Sequence, residues 1–176
     1  MKSIATNLKA LSWVIYLLLV IVGVSPFLHF VFPGFNSLFP PHELLTQYGG
    51  LERLEIWQQI GGFFVAAWPA ALLCWALILI LRLMALLKAG MWFDKRSETI
   101  CSQFSRAMMW FVAAQVLHKT LLVLIFTATR PAGERILFLA FNLEDAFALL
   151  PAIFALIFAH IVSLARQQRE ELQQII

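Results

Sequence analysis

Four long apolar runs constrain the fold of this chain more than any other feature of its sequence. They cover about residues 11–32, 59–87, 107–128 and 143–165. Because roughly 20 helical residues cross a bilayer core of about 30 Å, each run is long enough to span a membrane. A helix also satisfies its backbone hydrogen bonds within the segment, as lipid requires. The sequence therefore predicts an all-α, polytopic membrane protein, a single domain built as a bundle of four transmembrane helices.

The amino-acid composition excludes several classes of protein. Of the 176 residues, 61% are hydrophobic and 13% are charged, whereas a soluble domain is about half apolar and a quarter charged. These values exclude a disordered chain and a domain that binds nucleic acid directly, and they argue against a soluble enzyme. Cys74 and Cys101 lie far apart in the sequence, so the paired cysteines of a small membrane thiol oxidase are missing.

The cationic residues are divided unevenly between the two predicted sides of the membrane. Only three lie in the predicted outer loops, 33–58 and 129–142, whereas nine lie near the termini or in and beside the connection 88–106. Lys and Arg concentrate on the cytoplasmic side of membrane proteins. We therefore expect the connection 88–106, the tail 166–176 and both termini to be cytoplasmic. The nine cations are Lys2, Lys9, Arg82, Lys88, Lys95, Arg96, Arg106, Arg166 and Arg169.

The first outer loop has the pattern of an amphipathic helix from His42 onward. Apolar residues recur there at spacings of three and four, with polar residues between them, which is typical of a helix at a membrane surface or capping a bundle. Such a helix would serve either as a lid on the helix ends or as a surface that senses a ligand or partner. The recurring residues are Leu44, Tyr48, Leu51, Leu54 and Trp57.

The connection 88–106 is the most polar stretch of the chain. Gly90 is a candidate end for the second helix, and the segment 94–98 has the pattern of a turn or a helix start. The basic residues here would either anchor the chain to anionic lipid or form a docking surface for a cytoplasmic protein, to which the tail would contribute. The candidate partner surface consists of Asp94, Lys95, Arg96, Glu98, Arg169, Glu170 and Glu171.

A polar cluster interrupts the third apolar run. Gln115, His118 and Lys119 lie three and four residues apart, so they share one helix face. We expect Lys119 near the bilayer centre, with Glu144 and Asp145 at the start of the fourth helix as its counter-charges. The cluster would hold the helices together, or act as a proton relay or a site for an anionic ligand. A third interpretation is that the boundaries of the predicted span are wrong, in which case Lys119 is less buried than this placement implies.

The sequence predicts no catalysis, no cofactor and no metal site. Nucleotide-binding and hydrolase motifs, and paired catalytic carboxylates, are missing from it. Its four histidines show no spacing typical of metal or haem ligands.

Two stretches of the chain resemble a known family. One runs from Leu81-Arg82 to Gly90-Met91-Trp92-Phe93, and the other is the final helix, LLPAIFALIFAHIVSLARQQREELQQ. Over about residues 70–174 the chain resembles the small bacterial four-helix membrane proteins of the domain of unknown function 2975 family. Members are often encoded beside a small helix-turn-helix protein. The resemblance therefore implies a non-enzymatic inner-membrane partner that tethers or signals to a cytoplasmic regulator.

Two alternatives stay open at this point. The chain could be a small transporter, channel or ligand-binding bundle that uses the Gln115, His118 and Lys119 cluster. It could instead be an immunity or accessory subunit that recognises another membrane protein, or associate with a second copy of itself.

Overall fold

The fold is described by a computed structural model that covers residues 2–31, 55–91, 94–129 and 146–175. These ranges form four long helices and, within them, no strand. The predicted all-α class is confirmed for this part of the chain. The amphipathic helix predicted from His42 and the loop 129–142 lie almost entirely outside it. The helices are α1 (Lys2–Val31), α2 (Ile56–Lys88), α3 (Lys95–Thr127) and α4 (Leu150–Ile175).

All four helices are long and apolar enough to cross a membrane. The qualifying segments lie close to the four apolar runs of the sequence, although the third begins twelve residues before the predicted span. Each helix carries large apolar side chains that are exposed, including Trp13, Phe64, Trp110 and Phe154. Exposed apolar surface of this extent suits a lipid environment. The qualifying segments are Lys9–Leu28, Ile56–Lys88, Lys95–Thr127 and Leu150–Gln168.

Consecutive helices pack side by side and run antiparallel. Lys88 Nζ donates a hydrogen bond to Ser12 Oγ over 2.9 Å, which joins the end of α2 to the first half of α1. Ser105 Oγ donates to the carbonyl oxygen of Ala152 near the start of α4 over 2.9 Å, and Arg166 in the second half of α4 lies 3.6 Å from Glu98 in the first turn of α3. The start of α1, the end of α2, the start of α3 and the end of α4 therefore share one end of the bundle. We call it the charged end, and the other the opposite end.

A short connection joins α2 to α3. Gly90 adopts a φ of +77° directly after α2, a backbone conformation that favours glycine. The amide of Gly90 donates to the carbonyl of Leu87, and that of Met91 to the carbonyl of Leu86, which is the Schellman pattern of a helix end. The prediction that Gly90 ends the second helix is confirmed.

The start of α3 lies within the predicted connection 88–106. Because α3 begins at Lys95, only residues 89–94 connect the two helices. Asp94 is the cap residue, and its carbonyl accepts the amides of Ser97 and Glu98, so the predicted helix start at 94–98 is confirmed. The polar residues 95–106 suggested a loop because they are unsuited to lipid. A helix can, however, continue past a bilayer, where its polar side chains meet water.

Two apolar clusters form the core. Near the opposite end, Phe30 of α1 packs against Leu122 and Phe126 of α3. Nearer the charged end, a second cluster joins α2, α3 and α4, and Ala152 of α4 belongs to it. The first described helical turns of α4 therefore lie beside the middle of α3, and the rest of α4 runs along the first half of α3. The second cluster consists of Ala76, Leu79, Ala107, Met108 and Ala152.

Proline is accommodated inside α1. Pro26 lacks an amide hydrogen, so it cannot donate to the carbonyl of Val22 one turn earlier. Ser25 Oγ donates to that carbonyl over 3.1 Å instead. A neighbouring hydroxyl thus keeps the backbone satisfied, which allows α1 to continue to Val31.

Candidate functional site

The two segments predicted to form a partner surface meet at the charged end. Glu98, in the first turn of α3, lies opposite Arg166 of α4, and Glu98 Oε2 is 3.6 Å from Arg166 Nη2. The two side chains are 30% and 28% exposed. A carboxylate in the first turn of a helix also interacts favourably with the helix dipole. This ion pair joins segments that are far apart in the sequence, and both of its side chains are partly exposed.

Beyond the ion pair, α4 extends past the start of α3. It continues for nine residues after Arg166, whereas α3 begins three residues before Glu98. At 1.5 Å per residue, roughly 13 Å of α4 follows Arg166. Gln167, Gln168 and Glu171 are exposed on this extension. Arg169 and Glu170 belong to the helix, but their side chains lie outside the described part.

The other predicted surface residues lie on a second face of α3. Lys95 and Arg96 are exposed and line a groove of about 680 Å³ between the end of α2 and the start of α3. Asp94 and Arg82 also line this groove, whereas Glu98 does not. The structure therefore divides the predicted partner surface between the α2–α3 groove and the α3–α4 ion pair.

A smaller apolar cavity of about 280 Å³ lies among α2, α3 and α4. Cys101 and Phe104 of α3 line it together with Leu83 of α2 and Phe158 of α4. Within the described ranges, no three His, Cys, Asp or Glu side chains lie close enough together to hold a metal ion.

The polar cluster of the third apolar run lies on the packed side of α3. His118 is only 7% exposed, and Gln115 and Lys119 are half-buried. Lys119 lies eight residues before the end of α3, a rise of roughly 12 Å. It is therefore in the last third of this helix. The proposed counter-charges Glu144 and Asp145 lie outside the described residues, so their pairing with Lys119 stays a prediction.

Two buried polar residues were missed by sequence reasoning. Gln58 donates through Nε2 to the carbonyl of Ile125 over 2.9 Å and accepts the amide of Glu55 at Oε1 over 2.9 Å. Ser105 is fully buried between α3 and α4. The spacing of Glu55 and Gln58 is typical of a helix start, so the contact between the Glu55 amide and the Gln58 side chain could have been predicted. Sequence contains no comparable signal for its bond to α3.

Comparisons with known protein families, curated proteins and solved structures found no match for this chain. The resemblance to the domain of unknown function 2975 family therefore stays a prediction from the residues quoted above.

Proposed function

We propose that this chain is a non-enzymatic, multi-pass protein of the bacterial inner membrane that binds a cytoplasmic protein at its charged end. The family resemblance suggests a helix-turn-helix regulator as that partner. Binding would hold the regulator at the membrane or signal to it. The biased distribution of Lys and Arg supports a cytoplasmic charged end.

The Glu98–Arg166 ion pair is the observation that carries this proposal. It joins the start of α3 to the point where the extension of α4 begins, so that polar residues of both helices lie together at the charged end. An ion pair between partly exposed side chains contributes little to stability, typically below about 1 kcal/mol. Its presence at the end of an otherwise apolar bundle is better explained by a role in recognition.

The extension of α4 supports the same proposal. The exposed residues Gln167 and Glu171 lie one helical turn apart, so they share a face. A helix that extends past its neighbours offers a partner more than one side. By contrast, the two cavities described above are lined by residues other than Gln115, His118 and Lys119. The polar cluster of Gln115, His118 and Lys119 stays the alternative site of function.

Site-specific photo-cross-linking in intact cells tests the proposal. A photoreactive residue is placed at Gln167 or Glu171 on the extension, and at exposed Thr129 at the opposite end as the control. We expect Gln167 and Glu171 to capture the same soluble protein, identified by mass spectrometry, and Thr129 not to capture it. Equal capture at Thr129, or only membrane proteins at all three positions, would contradict the proposal.

A charge exchange sharpens this test. Glu98→Arg and Arg166→Glu should each reduce the cross-link at Glu171, because each places like charges at the two positions of the ion pair. The double variant restores an ion pair and should restore the cross-link. If the single variants cross-link as well as the original chain, the ion pair does not shape the binding surface.

A further inference from the structure

The groove between α2 and α3 combines an apolar lining with a cluster of cations. Its volume of about 680 Å³ is within the range of roughly 300–1,000 Å³ that ligand sites occupy. Ala85 and Leu86 of α2 and Ile100 of α3 supply apolar lining. A water-soluble anion would use the cations of this groove but would gain little from these apolar side chains.

The cations are arranged at two depths. Lys95 and Arg96 are the first two residues of α3, at the mouth of the charged end. Arg82 lies six residues before the end of α2, which places it roughly 9 Å further along the bundle. Asp94 is the acidic residue that lines the groove. The groove is therefore net positive, and its charge is concentrated where a lipid headgroup would lie.

An apolar track leads away from the groove along α2. Ile78 and Trp75 lie one and two turns before Arg82, on the same face of the helix, and both are exposed. A ligand whose anionic group binds the cations would thus have an apolar path for a chain of its own. That combination is characteristic of a phospholipid.

From this geometry we propose that the α2–α3 groove is a binding site for an anionic phospholipid. The headgroup phosphate binds Lys95 and Arg96, and an acyl chain packs against Leu86 and extends over Ile78 and Trp75. Arg82 approaches the phosphate from the side farther from the charged end. Because Glu98 faces α4 and not the groove, this site is separate from the proposed protein-binding surface. The two proposals can fail independently.

Lipid titration of the full chain in detergent tests this site, with bound lipid counted by native mass spectrometry. The probes are phosphatidylglycerol, phosphatidylcholine with the same acyl chains, and glycerol phosphate without chains. We expect phosphatidylglycerol to bind most tightly. A cation near a membrane surface contributes about 1 kcal/mol, so Arg96→Gln should raise the Kd for phosphatidylglycerol about fivefold.

Two variants serve as controls. Arg106→Gln removes the same charge from an exposed arginine of α3 outside the groove, and we expect it to leave the Kd nearly unchanged. Asp94→Asn removes the acidic residue of the groove. Asp94 makes no side-chain capping bond to α3, so this variant should fold normally and bind phosphatidylglycerol more tightly than the original chain.

Several outcomes would overturn the proposal. Equal affinity for phosphatidylglycerol and phosphatidylcholine would show that the cations do not select a headgroup. Displacement of the lipid by glycerol phosphate at similar concentration would identify a site for a soluble anion. Equal losses in Arg96→Gln and Arg106→Gln would indicate diffuse surface charge. Loss of the Glu171 cross-link in Arg96→Gln, with lipid affinity unchanged, would assign the groove to a protein. If Arg96→Gln does not fold, unchanged affinity in Asp94→Asn would overturn the proposal by itself.

Discussion

The two ends of the bundle are held together by different kinds of contact. At the opposite end two contacts between helices are buried and uncharged: Gln58 is 1% exposed and bonds to the carbonyl of Ile125, and the ring of Phe30 lies against Gly62. At the charged end α3 and α4 are joined by the ion pair of Glu98 and Arg166, whose side chains are partly exposed.

This difference separates stability from binding. Buried hydrogen bonds and close packing are costly to disturb, because neither water nor lipid can replace them. Half-exposed charges contribute little to folding and can exchange partners easily. We therefore expect substitutions at the opposite end to unfold the bundle, and substitutions at the charged end to change what it binds.

The close approach of α1 and α2 should give the largest effect. A Cβ atom at Gly62 would lie 2.6 Å from the ring of Phe30, which is itself buried. Overpacking of this kind costs typically about 1–3 kcal/mol. We expect Gly62→Ala to lower the thermal unfolding temperature clearly, measured by circular dichroism in detergent.

Gly61→Ala is the matched control for this substitution. A Cβ atom at Gly61 would lie 3.5 Å from Ile125, an ordinary van der Waals contact. Alanine also favours a helix over glycine by about 1 kcal/mol. The control should therefore be neutral or stabilising. Equal destabilisation by both variants would mean that helix packing at this end is not specific.

Gln58 should give the next largest effect. Gln58→Met keeps the size of the side chain but removes the donor to Ile125 and the acceptor for the amide of Glu55. Leaving such buried groups unsatisfied costs about 1–3 kcal/mol. Gln103→Met makes the same change at a half-buried position of α3 and should cost less. If Gln103→Met lowers the free energy of unfolding more than Gln58→Met does, the contacts of Gln58 do not stabilise the opposite end.

Ser105 tests the packing of α4 on α3. Ser105→Ala removes the hydrogen bond to Ala152, and hydrogen bonds between membrane helices average about 0.6 kcal/mol. We expect a small drop in the free energy of unfolding. Ser102→Ala, at a half-buried position one turn away, should show less. If the two variants are equally stable, the bond does not hold α4 in place.

The smallest effect on stability is expected at the charged end. Glu98→Gln removes the ion pair with Arg166 but keeps the shape of the side chain. Stability should change by less than about 1 kcal/mol, whereas the cross-link from Glu171 to a soluble protein should fall. A loss of stability as large as that of Gly62→Ala would erase the distinction between the two ends.

The helices could be predicted from the sequence because length and apolar content are local properties. The end of α2 was also predictable, since Gly90 takes a backbone conformation that few other residues adopt. The start of α3 was predicted as well, from the turn or helix-start pattern of residues 94–98, but the charge in residues 95–106 kept them out of the third predicted span, 107–128.

The contacts between helices could not be predicted from the sequence. Apolar residues cover several faces of each helix, so the pattern does not show which face meets which neighbour. The register that puts Glu98 opposite Arg166, and the one that puts Gly62 against Phe30, follow only from packing in three dimensions. The candidate residues at the charged end were predicted, but their division between two faces of α3 was not.

A binding surface for a cytoplasmic protein requires that the charged end face the cytoplasm, which cysteine labelling tests. In a chain with Cys74 and Cys101 replaced by alanine, Glu171→Cys marks the charged end and Thr129→Cys the opposite end. A membrane-impermeant maleimide is applied to right-side-out and inverted vesicles. We expect Glu171→Cys to be labelled only in inverted vesicles and Thr129→Cys only in right-side-out vesicles. The reverse pattern would contradict this orientation.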